Sequence, residues 1–270
     1  MSDQATKAAT FKALHERPEP LLLPNPWDAG SAKLLADLGF EALATTSLGV
    51  ANNLGRLRAS RKEILDNCRQ IVDATDLPVN ADLENCYADN PAEAARMIAD
   101  AYNAGAVGAS IEDATGDRDK PIYDFGLTVE RVQAAVEVAR SLPVPFVLTA
   151  RAENLLYGVN DLDDTIKRLQ AFEAVGADVL YAPGLRTIDE MRTVIAAVGK
   201  PVNIVMGFAD PSITLAQLAE IGVGRVSIGG AFSRLALQSM LRAARDMKDG
   251  RFAFVEDVIP IKELRHAFRN

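Results

Sequence analysis

Short apolar runs alternate with helix-like stretches along the whole chain, and proline and glycine mark their boundaries. Four of the runs follow a proline, and four follow a glycine placed where helices commonly end. Each run has the length of a buried strand. The pattern therefore predicts eight strands: Leu21–Leu23, Ala42–Thr46, Val79–Leu83, Val107–Ile111, Phe146–Ala150, Val179–Ala182, Val202–Met206 and Val226–Ile228.

The stretches between these runs carry apolar residues at helical spacing, as in Ala92–Asn103, Val129–Ser141, Asp161–Val175 and Ile188–Val198. Eight strands alternating with helices predict an α/β protein, a single (β/α)8 barrel of the TIM type. An open doubly wound sheet is the second possibility, but neither GxGxxG nor a Walker loop follows the first strand. We expect one domain over residues 1–270, with an N-terminal helix at about 5–16 and a C-terminal helical arm at about 251–270.

The alternation of residues within a strand predicts which side chains enter the barrel. In the third run Val79, Ala81 and Leu83 form the apolar set, so the polar residues between them should face the interior. The same count leaves Asp113 on the helical shell. Polar groups at the C-terminal ends of barrel strands usually form the active site. The inward set is Thr46, Asn80, Asp82, Glu84, Ser110, Glu112, Thr149, Arg151, Asn203 and Ser227.

Asp82, Glu84 and Glu112 would share one mouth of the barrel with a single clear cation, Arg151. Three carboxylates this close repel one another unless a divalent ion neutralises them, and ligation by oxygen alone suits Mg2+ or Mn2+. Arg151 would then remain free to hold a carboxylate or phosphonate of the substrate. The alternative is that Arg151 and Glu112 form a buried ion pair that only stabilises the architecture.

The net charge is −8, and lysines and arginines cluster in no segment, so we expect a small-molecule ligand and neither nucleic acid nor membrane as partner. No signal-peptide pattern or membrane-length apolar run is present, and Cys68 and Cys86 suggest no disulfide framework. We therefore expect a cytoplasmic protein. Only His15 and His266 are present, which argues against a His-rich zinc site. No run ends in a lysine, which argues against a Schiff-base aldolase.

Five motifs resemble those of the isocitrate lyase and phosphoenolpyruvate mutase superfamily. They are PNPWDA at positions 24–29, TTSLGVA at 45–51, DLENCYA at 82–88, IED at 111–113 and TAR at 149–151. Each is weak alone, but together they are specific and span most of the chain. The resemblance implies a barrel enzyme that binds 2-oxo or 2-hydroxy carboxylates on Mg2+ and stabilises an enolate of pyruvate-like form.

The resemblance also implies roles for individual residues. Asp82 resembles the direct metal ligand, and Glu84 and Glu112 resemble ligands that act through metal-bound water. Arg151 resembles the clamp for a carboxylate or phosphonate, while Thr46 and the Ser47 amide resemble the groups that hold the substrate's oxygen. We thus expect Arg151, Glu112 and Thr46 to be catalytic. The expected substrate-binding residues are Thr46, Ser47, Asp82, Arg151 and Asn203.

Two departures from the family pattern narrow the expected activity. The loop after strand four reads ATGDRDKP at 114–121 and lacks the KKCGH motif whose cysteine serves isocitrate and methylisocitrate lyases as an acid. Isocitrate cleavage is therefore not expected, and Thr115 and Lys120 are the polar candidates left in that loop. The segment NNLGRLR at 52–58 lacks the aspartate that contacts metal-bound water in many members, so Arg56 or Arg58 could instead meet an anionic substrate. Cys86 and Cys68 are expected to be buried thiols.

The expected function is a Mg2+-dependent lyase that cleaves a carbon–carbon bond of a small 2-oxo or 2-hydroxy carboxylate through a metal-stabilised enolate. Oxaloacetate, a substituted malate or a methylisocitrate-like acid is the expected substrate. Phosphonopyruvate or phosphoenolpyruvate mutase or hydrolase chemistry is the close alternative. A barrel that binds a carboxylate without turning it over is the third possibility. Family members that resemble this chain are dimers of dimers with a swapped C-terminal helix, so we expect a homotetramer, unless the arm folds back on its own barrel.

Overall fold

The computed structural model describes residues 3–269 and contains one eight-stranded parallel sheet. Neighbouring strands follow in chain order from β2 to β8, and β8 pairs in turn with β1. The sheet is thus a nearly closed barrel with helices between its strands, which confirms the predicted (β/α)8 fold. The strands are β1 Leu21–Leu23, β2 Leu43–Ala44, β3 Val79–Asp82, β4 Gly108–Glu112, β5 Val147–Arg151, β6 Val179–Tyr181, β7 Val202–Val205 and β8 Arg225–Ser227.

Helices connect the strands and cover the outside of the barrel. Several begin with a side chain that caps the first turn, for example Ser60 before α4 and Thr187 before α8, both in a reciprocal capping box. The helices are α1 Gln4–Leu14, α2 Ala29–Asp37, α3 Ser47–Asn53, α4 Arg61–Ala74, α5 Pro91–Asn103, α6 Phe125–Ser141, α7 Leu162–Ala174, α8 Ile188–Ala196, α9 Leu215–Glu220, α10 Ala231–Lys248 and α11 Ile261–Ala267, with a 3-10 turn at Ala253–Asp257.

The predicted elements are present, with ends shifted by one to a few residues. The predicted N-terminal helix corresponds to α1, which lies on the barrel end opposite the strands' C termini and buries Phe11 completely. The predicted arm at 251–270 contains the 3-10 turn and α11, and α11 packs against α2. Met1, Ser2 and Asn270 of the predicted ranges lie outside the described residues. No helix within residues 3–269 is long and apolar enough to span a membrane.

The glycines expected to end helices do so by adopting a left-handed backbone. Gly105 follows α5 with φ +96°, and Gly176 follows α7 with φ +104°. A side chain at Gly105 would also collide with Val72, whose Cγ1 lies 2.6 Å from the ideal Cβ position. These helix ends therefore require glycine for both conformation and space.

Side-chain parity in the central strands agrees with the prediction. Ala81, Ala109, Ile111, Leu148 and Ala150 are fully buried in the large core between the sheet and the helices. The opposite faces of the same strands carry the buried polar side chains of Asn80, Ser110 and Thr149, which enter the barrel. The barrel interior is therefore polar toward the C-terminal ends of the strands, where the cavity begins.

The Asn25 side chain closes the seam between the first two strands. β1 and β2 share no strand ladder, although the Ala44 N–H donates to the Pro24 carbonyl at 3.0 Å. Asn25 Nδ2 donates to the carbonyls of Ala44 and Thr45 at 3.2 and 3.1 Å. Its Oδ1 accepts from the N–H groups of Ile228 and Gly229 at 3.0 and 2.8 Å. One buried amide thus joins the C-terminal ends of β2 and β8.

Candidate active site at the C-terminal mouth

A cavity of about 610 Å3 opens at the C-terminal ends of the barrel strands. All the residues predicted to form the site line this cavity, so the structure brings the whole predicted set together. They are Thr46, Ser47, Asp82, Glu84, Glu112, Arg151 and Asn203. Glu84 is not on a strand, because β3 ends at Asp82 and Glu84 lies in the following turn with φ +50°.

Arg151 is the centre of the charged network and bonds three carboxylates. Its Nη1 lies 2.9 Å from Asp82 Oδ1, its Nη2 lies 3.2 Å from Glu112 Oε2, and its Nε lies 2.7 Å from Glu153 Oε1. The guanidinium also covers the Tyr181 ring at 4.7 Å from the centroid. Although burial opposes its charge, Glu153 and Glu112 raise the pKa of Arg151 well above its ordinary value. Arg151 therefore stays charged at any physiological pH.

Glu153 is a site residue that the sequence reasoning missed. Its side chain is only 1% exposed, and its backbone N–H donates to Asp113 Oδ1 at 2.7 Å. Burial raises the pKa of the Glu153 carboxyl above its ordinary value, and Arg151 opposes that rise. Its position two residues after Arg151 was the available signal, because residues two apart in an extended segment face the same way.

Asp82 is held in place by the start of α3. Its Oδ2 accepts from the Ser47 backbone N–H at 2.9 Å and from the Ser47 hydroxyl at 2.8 Å. Thr46, at the N-cap of α3, accepts the Gly49 N–H on its hydroxyl at 3.3 Å. The Ser47 amide, which is expected to hold the substrate's oxygen, thus points toward Asp82 at the edge of the cavity. The Thr46 hydroxyl caps α3, the helix that carries Ser47.

Glu84 is paired with Arg58, a contact between residues far apart in sequence. Arg58 Nε lies 2.6 Å from Glu84 Oε2, and the Tyr87 hydroxyl donates to Glu84 Oε1 at 3.1 Å. Arg56 instead pairs with Glu63 at 2.8 Å on the neighbouring helix. Of the two arginines proposed to meet an anion, Arg58 therefore lines the cavity and already holds a carboxylate of the protein.

Glu112 is a largely buried carboxylate of the mouth whose pKa is perturbed by burial and by its neighbours. Burial raises its pKa well above the ordinary value, and the charges of Glu153, Asp82 and Glu84 act in the same direction against the opposing effect of Arg151. Asp113, the next residue, faces the shell as predicted and lies 3.0 Å from Arg168 Nη1. Burial raises the pKa of Asp113 to about 7 despite hydrogen bonds from Glu153 and Arg168.

The floor of the cavity contains Arg225, a second residue that was missed. Arg225 Nε donates to Asn203 Oδ1 at 2.8 Å, and Nη2 donates to Thr149 Oγ1 at 3.0 Å. Asn203 Nδ2 donates to Ser227 Oγ at 3.0 Å, so both ends of this predicted substrate-binding amide have protein partners. Burial lowers the pKa of Arg225 to about 10. Arg225 is the first residue of β8, whereas the sequence argument considered only polar residues near the C-terminal ends of strands.

The loop after β4 covers one side of the mouth. Thr115 and Lys120, its two polar candidates, make contacts within the loop: the Thr115 hydroxyl donates to the Lys120 carbonyl at 2.6 Å, and Lys120 pairs with Asp124 at 2.7 Å. The part of the loop that faces the cavity includes Gly116, Asp117 and Arg118. Exposed apolar side chains complete the rim: Leu48, Leu57, Leu156, Tyr157 and Phe208.

Both cysteines are fully buried, as expected for structural thiols. Burial raises the pKa of Cys86 to about 12, and the charges of Glu112 and Asp82 act in the same direction, so this thiol in the turn after β3 stays protonated.

The donor set of the mouth fits a hydrated divalent ion better than a bare one. Within residues 3–269, no three His, Cys, Asp or Glu side chains stand close enough to enclose a metal. When all three carboxylates around the Arg151 guanidinium are ionised, that cluster has an excess of two negative charges, and the raised pKa values of Glu112 and Glu153 reflect burial together with this crowding. All the donors are oxygens, and Mg2+ is usually held by one or two carboxylates while it keeps several waters. The residues present therefore fit Mg2+ in charge and in chemistry.

A polar cavity lined by carboxylates and an arginine at the C-terminal ends of (β/α)8 strands defines a barrel enzyme site. The family model described as phosphoenolpyruvate phosphomutase matches residues 11–248. The chain belongs to the isocitrate lyase and phosphoenolpyruvate mutase superfamily. The members of this superfamily that it resembles include lyases. The predictions of this family and of a lyase-type enzyme are therefore confirmed.

The chain is similar to several known proteins over most of its length. A crystal structure of a provisionally assigned lyase/mutase from Burkholderia cenocepacia J2315 is 52% identical, with a TM-score of 0.96 and coverage of 99% of this chain and 97% of that one. An uncharacterized protein of Mycobacterium tuberculosis is 31% identical, covering 89% of this chain and 90% of its own. The 2-methylisocitrate lyase of Escherichia coli is 29% identical over 87% of this chain and 80% of its own.

Two further structures are those of enzymes with named substrates. Oxaloacetate acetylhydrolase in complex with oxalate is 25% identical, with a TM-score of 0.87 and coverage of 99% and 95% of the two chains. The structure of 2,3-dimethylmalate lyase is 26% identical, with a TM-score of 0.85 and the same coverage of 99% and 95%.

Proposed function

We propose that this protein is a Mg2+-dependent lyase that cleaves a carbon–carbon bond of a small 2-oxo or 2-hydroxy carboxylate through an enolate. Oxaloacetate and substituted malates are the proposed substrates. The observation that carries the proposal is the network at the mouth, where Asp82, Glu112 and Glu153 surround the Arg151 guanidinium. Such a site offers a fork for a substrate carboxylate beside an excess of negative charge that suits a divalent ion.

Asp82 and Glu112 would hold the ion, and Mn2+ could replace Mg2+. Glu84, the third proposed ligand, would reach the ion only in competition with Arg58, whose Nε lies 2.6 Å from its carboxylate. The ion, when bound, would supply positive charge to the oxygen on which the enolate's negative charge develops. Asp82 is pre-oriented for this task, because Ser47 fixes its carboxylate with two donors. The orientation of the first ligand therefore does not depend on the substrate.

The chain's own residues would bind and orient the carboxylate. Arg151 would hold the substrate's carboxylate with its Nη groups, which contact Asp82 and Glu112 here and would turn to the substrate once those two carboxylates serve the ion. Glu153 and the Tyr181 ring fix the position of the guanidinium. The Ser47 N–H, which donates to Asp82 Oδ2 at 2.9 Å, would have to be shared between that carboxylate and the 2-oxygen of the substrate next to Thr46. Asn203 would line the wall of the cavity that β7 forms. The loop after β4 would exclude water from the reacting centre, as barrel loops commonly do.

The named activities of the relatives support this substrate class. They include 2-methylisocitrate lyase, 2,3-dimethylmalate lyase and an oxaloacetate acetylhydrolase that holds oxalate. The acids in these names carry an oxygen on the carbon atom next to a carboxylate. The loop at 114–121 lacks a cysteine, so we propose an activity other than isocitrate cleavage.

Phosphonopyruvate or phosphoenolpyruvate chemistry is the second candidate, and the match to the phosphoenolpyruvate phosphomutase family favours it. A phosphonate carries more negative charge than a carboxylate. Arg58 and Arg118 at the rim could meet that charge while Arg151 holds the other end.

A substrate panel separates these functions. Pyruvate, oxalate and phosphoenolpyruvate are measured as products from oxaloacetate, 2-methylmalate, 2,3-dimethylmalate and phosphonopyruvate, with Mg2+ and with EDTA. Oxalate reports hydrolysis of oxaloacetate and phosphoenolpyruvate reports mutase rearrangement, neither of which forms pyruvate. A control without enzyme is needed because divalent ions promote decarboxylation of oxaloacetate by themselves. We expect Mg2+-dependent release from oxaloacetate or a malate. Release only from phosphonopyruvate would favour the second candidate. No product from any acid, together with binding of oxalate, would show a barrel that binds carboxylates without turnover.

We further propose that residues 1–270 act as one barrel domain that assembles into a dimer of dimers. The support is an apolar surface on α10 and the C-terminal arm, where Leu235, Met240, Phe252, Val255 and Ile261 are each more than half exposed. Apolar surface of this extent usually marks an interface. Sedimentation equilibrium should give four chains per particle. A monomer at micromolar concentration would contradict the proposal.

A further inference from the structure

Arg58 is anchored within the acidic turn after β3 and is not a free surface arginine. Its Nε bonds Glu84 at 2.6 Å, its Nη2 donates to Asn85 Oδ1 at 2.8 Å, and the guanidinium lies over the Tyr87 ring at 4.7 Å from the centroid. Asn85 is buried and is itself held by the Tyr123 hydroxyl and the Thr115 carbonyl. These three contacts therefore fix the Arg58 guanidinium in one place.

Glu84 is equally constrained. The turn holds three residues other than glycine in the left-handed region, with φ +50° at Glu84, +58° at Cys86 and +56° at Tyr87. This backbone brings the Glu84 carboxylate back over Arg58, and both of its oxygens accept hydrogen bonds from the turn and from Arg58. The side chain is 18% exposed, so the pair is partly shielded from water. Burial raises the pKa of Glu84 above its ordinary value, and Arg58 opposes that rise.

The pairing of Glu84 with Arg58 affects how the proposed divalent ion can bind. Asp82 and Glu112 share the single guanidinium of Arg151, whereas Glu84 has a guanidinium almost to itself. An ion that took Glu84 as a ligand would have to break a short, charge-assisted hydrogen bond. We propose that Arg58 is a positioning residue that withholds Glu84 from the divalent ion and thereby keeps its affinity low. The inference rests on the proposed function for the presence of the ion, but not for the identity of the substrate.

Metal binding can be measured without any substrate. Electron paramagnetic resonance of free Mn2+ gives the Kd for the native protein, Arg58→Met, Glu84→Gln and the double variant. Arg58→Met should tighten Mn2+ binding about tenfold, which corresponds to about 1.4 kcal/mol. The gain should disappear in the Arg58→Met/Glu84→Gln protein, because the freed carboxylate is its cause. A double-mutant cycle isolates this coupling.

The chain offers a matched control in Arg56→Met. Arg56 lies in the same loop and pairs with a glutamate, Glu63, but it is outside the cavity. Removing its charge should leave the Mn2+ Kd within twofold. An unchanged or weaker affinity in Arg58→Met would overturn the proposal, as would absence of Mn2+ binding in both the native protein and this variant. A gain that persists in the double variant would also overturn it, because loss of positive charge alone would then be the cause. Turnover on the substrate panel plays no part in this test. Absence of Mn2+ binding would contradict the metal dependence of the proposed function as well, whereas an unchanged Kd in Arg58→Met would contradict this inference alone.

Discussion

Replacing Arg151 by methionine should destabilise the protein by removing the cation that three carboxylates share. The side chain is 14% exposed, and its partners Asp82, Glu112 and Glu153 lie 2.9, 3.2 and 2.7 Å away. Breaking a buried ion pair by removing one partner costs about 3–5 kcal/mol, because the remaining charge stays buried without compensation. The site opens to a cavity that water can enter, so we expect about 3 kcal/mol, the lower end of that range.

The loss should depend on pH with a definite sign. Without Arg151 the pKa values of Glu112 and Glu153, already raised by burial, rise further above those in the unfolded chain. Between the unfolded and the folded pKa the native state binds more protons, so stability falls as the pH rises. The destabilisation of Arg151→Met should therefore be larger at pH 8 than at pH 5.

Equilibrium unfolding in urea at the two pH values is the assay. Arg192→Met is the control, because Arg192 forms an exposed pair with Asp189 and such pairs contribute about 0–1 kcal/mol. A loss for Arg151→Met no larger than that of the control, or a loss that is the same at pH 5 and pH 8, would refute the described charge network.

Three other perturbations follow from the structure. Asn25→Ala removes four hydrogen bonds that join β2 to β8, and at about 1 kcal/mol each it should lower the free energy of unfolding by about 3–4 kcal/mol in urea, whereas the exposed Asn103→Ala should not. Burial and the charge of Arg225 lower the pKa of His15 to about 4, so the free energy of unfolding should fall by up to about 3 kcal/mol as the pH drops from 6.5 toward 4. His15→Gln should remove that part of the pH dependence. Equal slopes of stability against pH in the native protein and the variant would contradict this prediction. Burial raises the pKa of Tyr157 to about 12, so this rim hydroxyl keeps its proton at neutral pH, and Tyr157→Phe should lower kcat by about tenfold or more if it protonates the product; an unchanged kcat would exclude that role.

The barrel could be predicted from the sequence because its signals are local. Proline before a strand and glycine after a helix act within a few residues, and the alternation in β3 placed Asp82 in the mouth. The ends of the strands were less predictable, since Thr45 and Thr46 leave β2 to orient Asp82 and to cap α3. Glu84 shows the same limit, because a left-handed turn replaces the expected continuation of the strand.

The network around the site could not be predicted, because its contacts are distant in sequence. Arg58 meets Glu84 across 26 positions, and this contact depends on the paths of two loops. Arg225 contacts Thr149 across 76 positions from the first residue of β8, where a lone arginine resembles an exposed strand start. Sequence reasoning thus identified the groups that could do the chemistry, while the structure identified their partners.

The most direct test of the central claim is exchange of the methyl protons of pyruvate in D2O, followed by proton NMR. A site that stabilises the enolate of a 2-oxo acid should catalyse this exchange whatever its natural substrate is. We predict exchange well above the Mg2+ background for the native protein, and its loss with EDTA or in Asp82→Asn. Exchange no faster than the background with Mg2+ present, in a protein shown to bind pyruvate, would contradict an enolate-stabilising site.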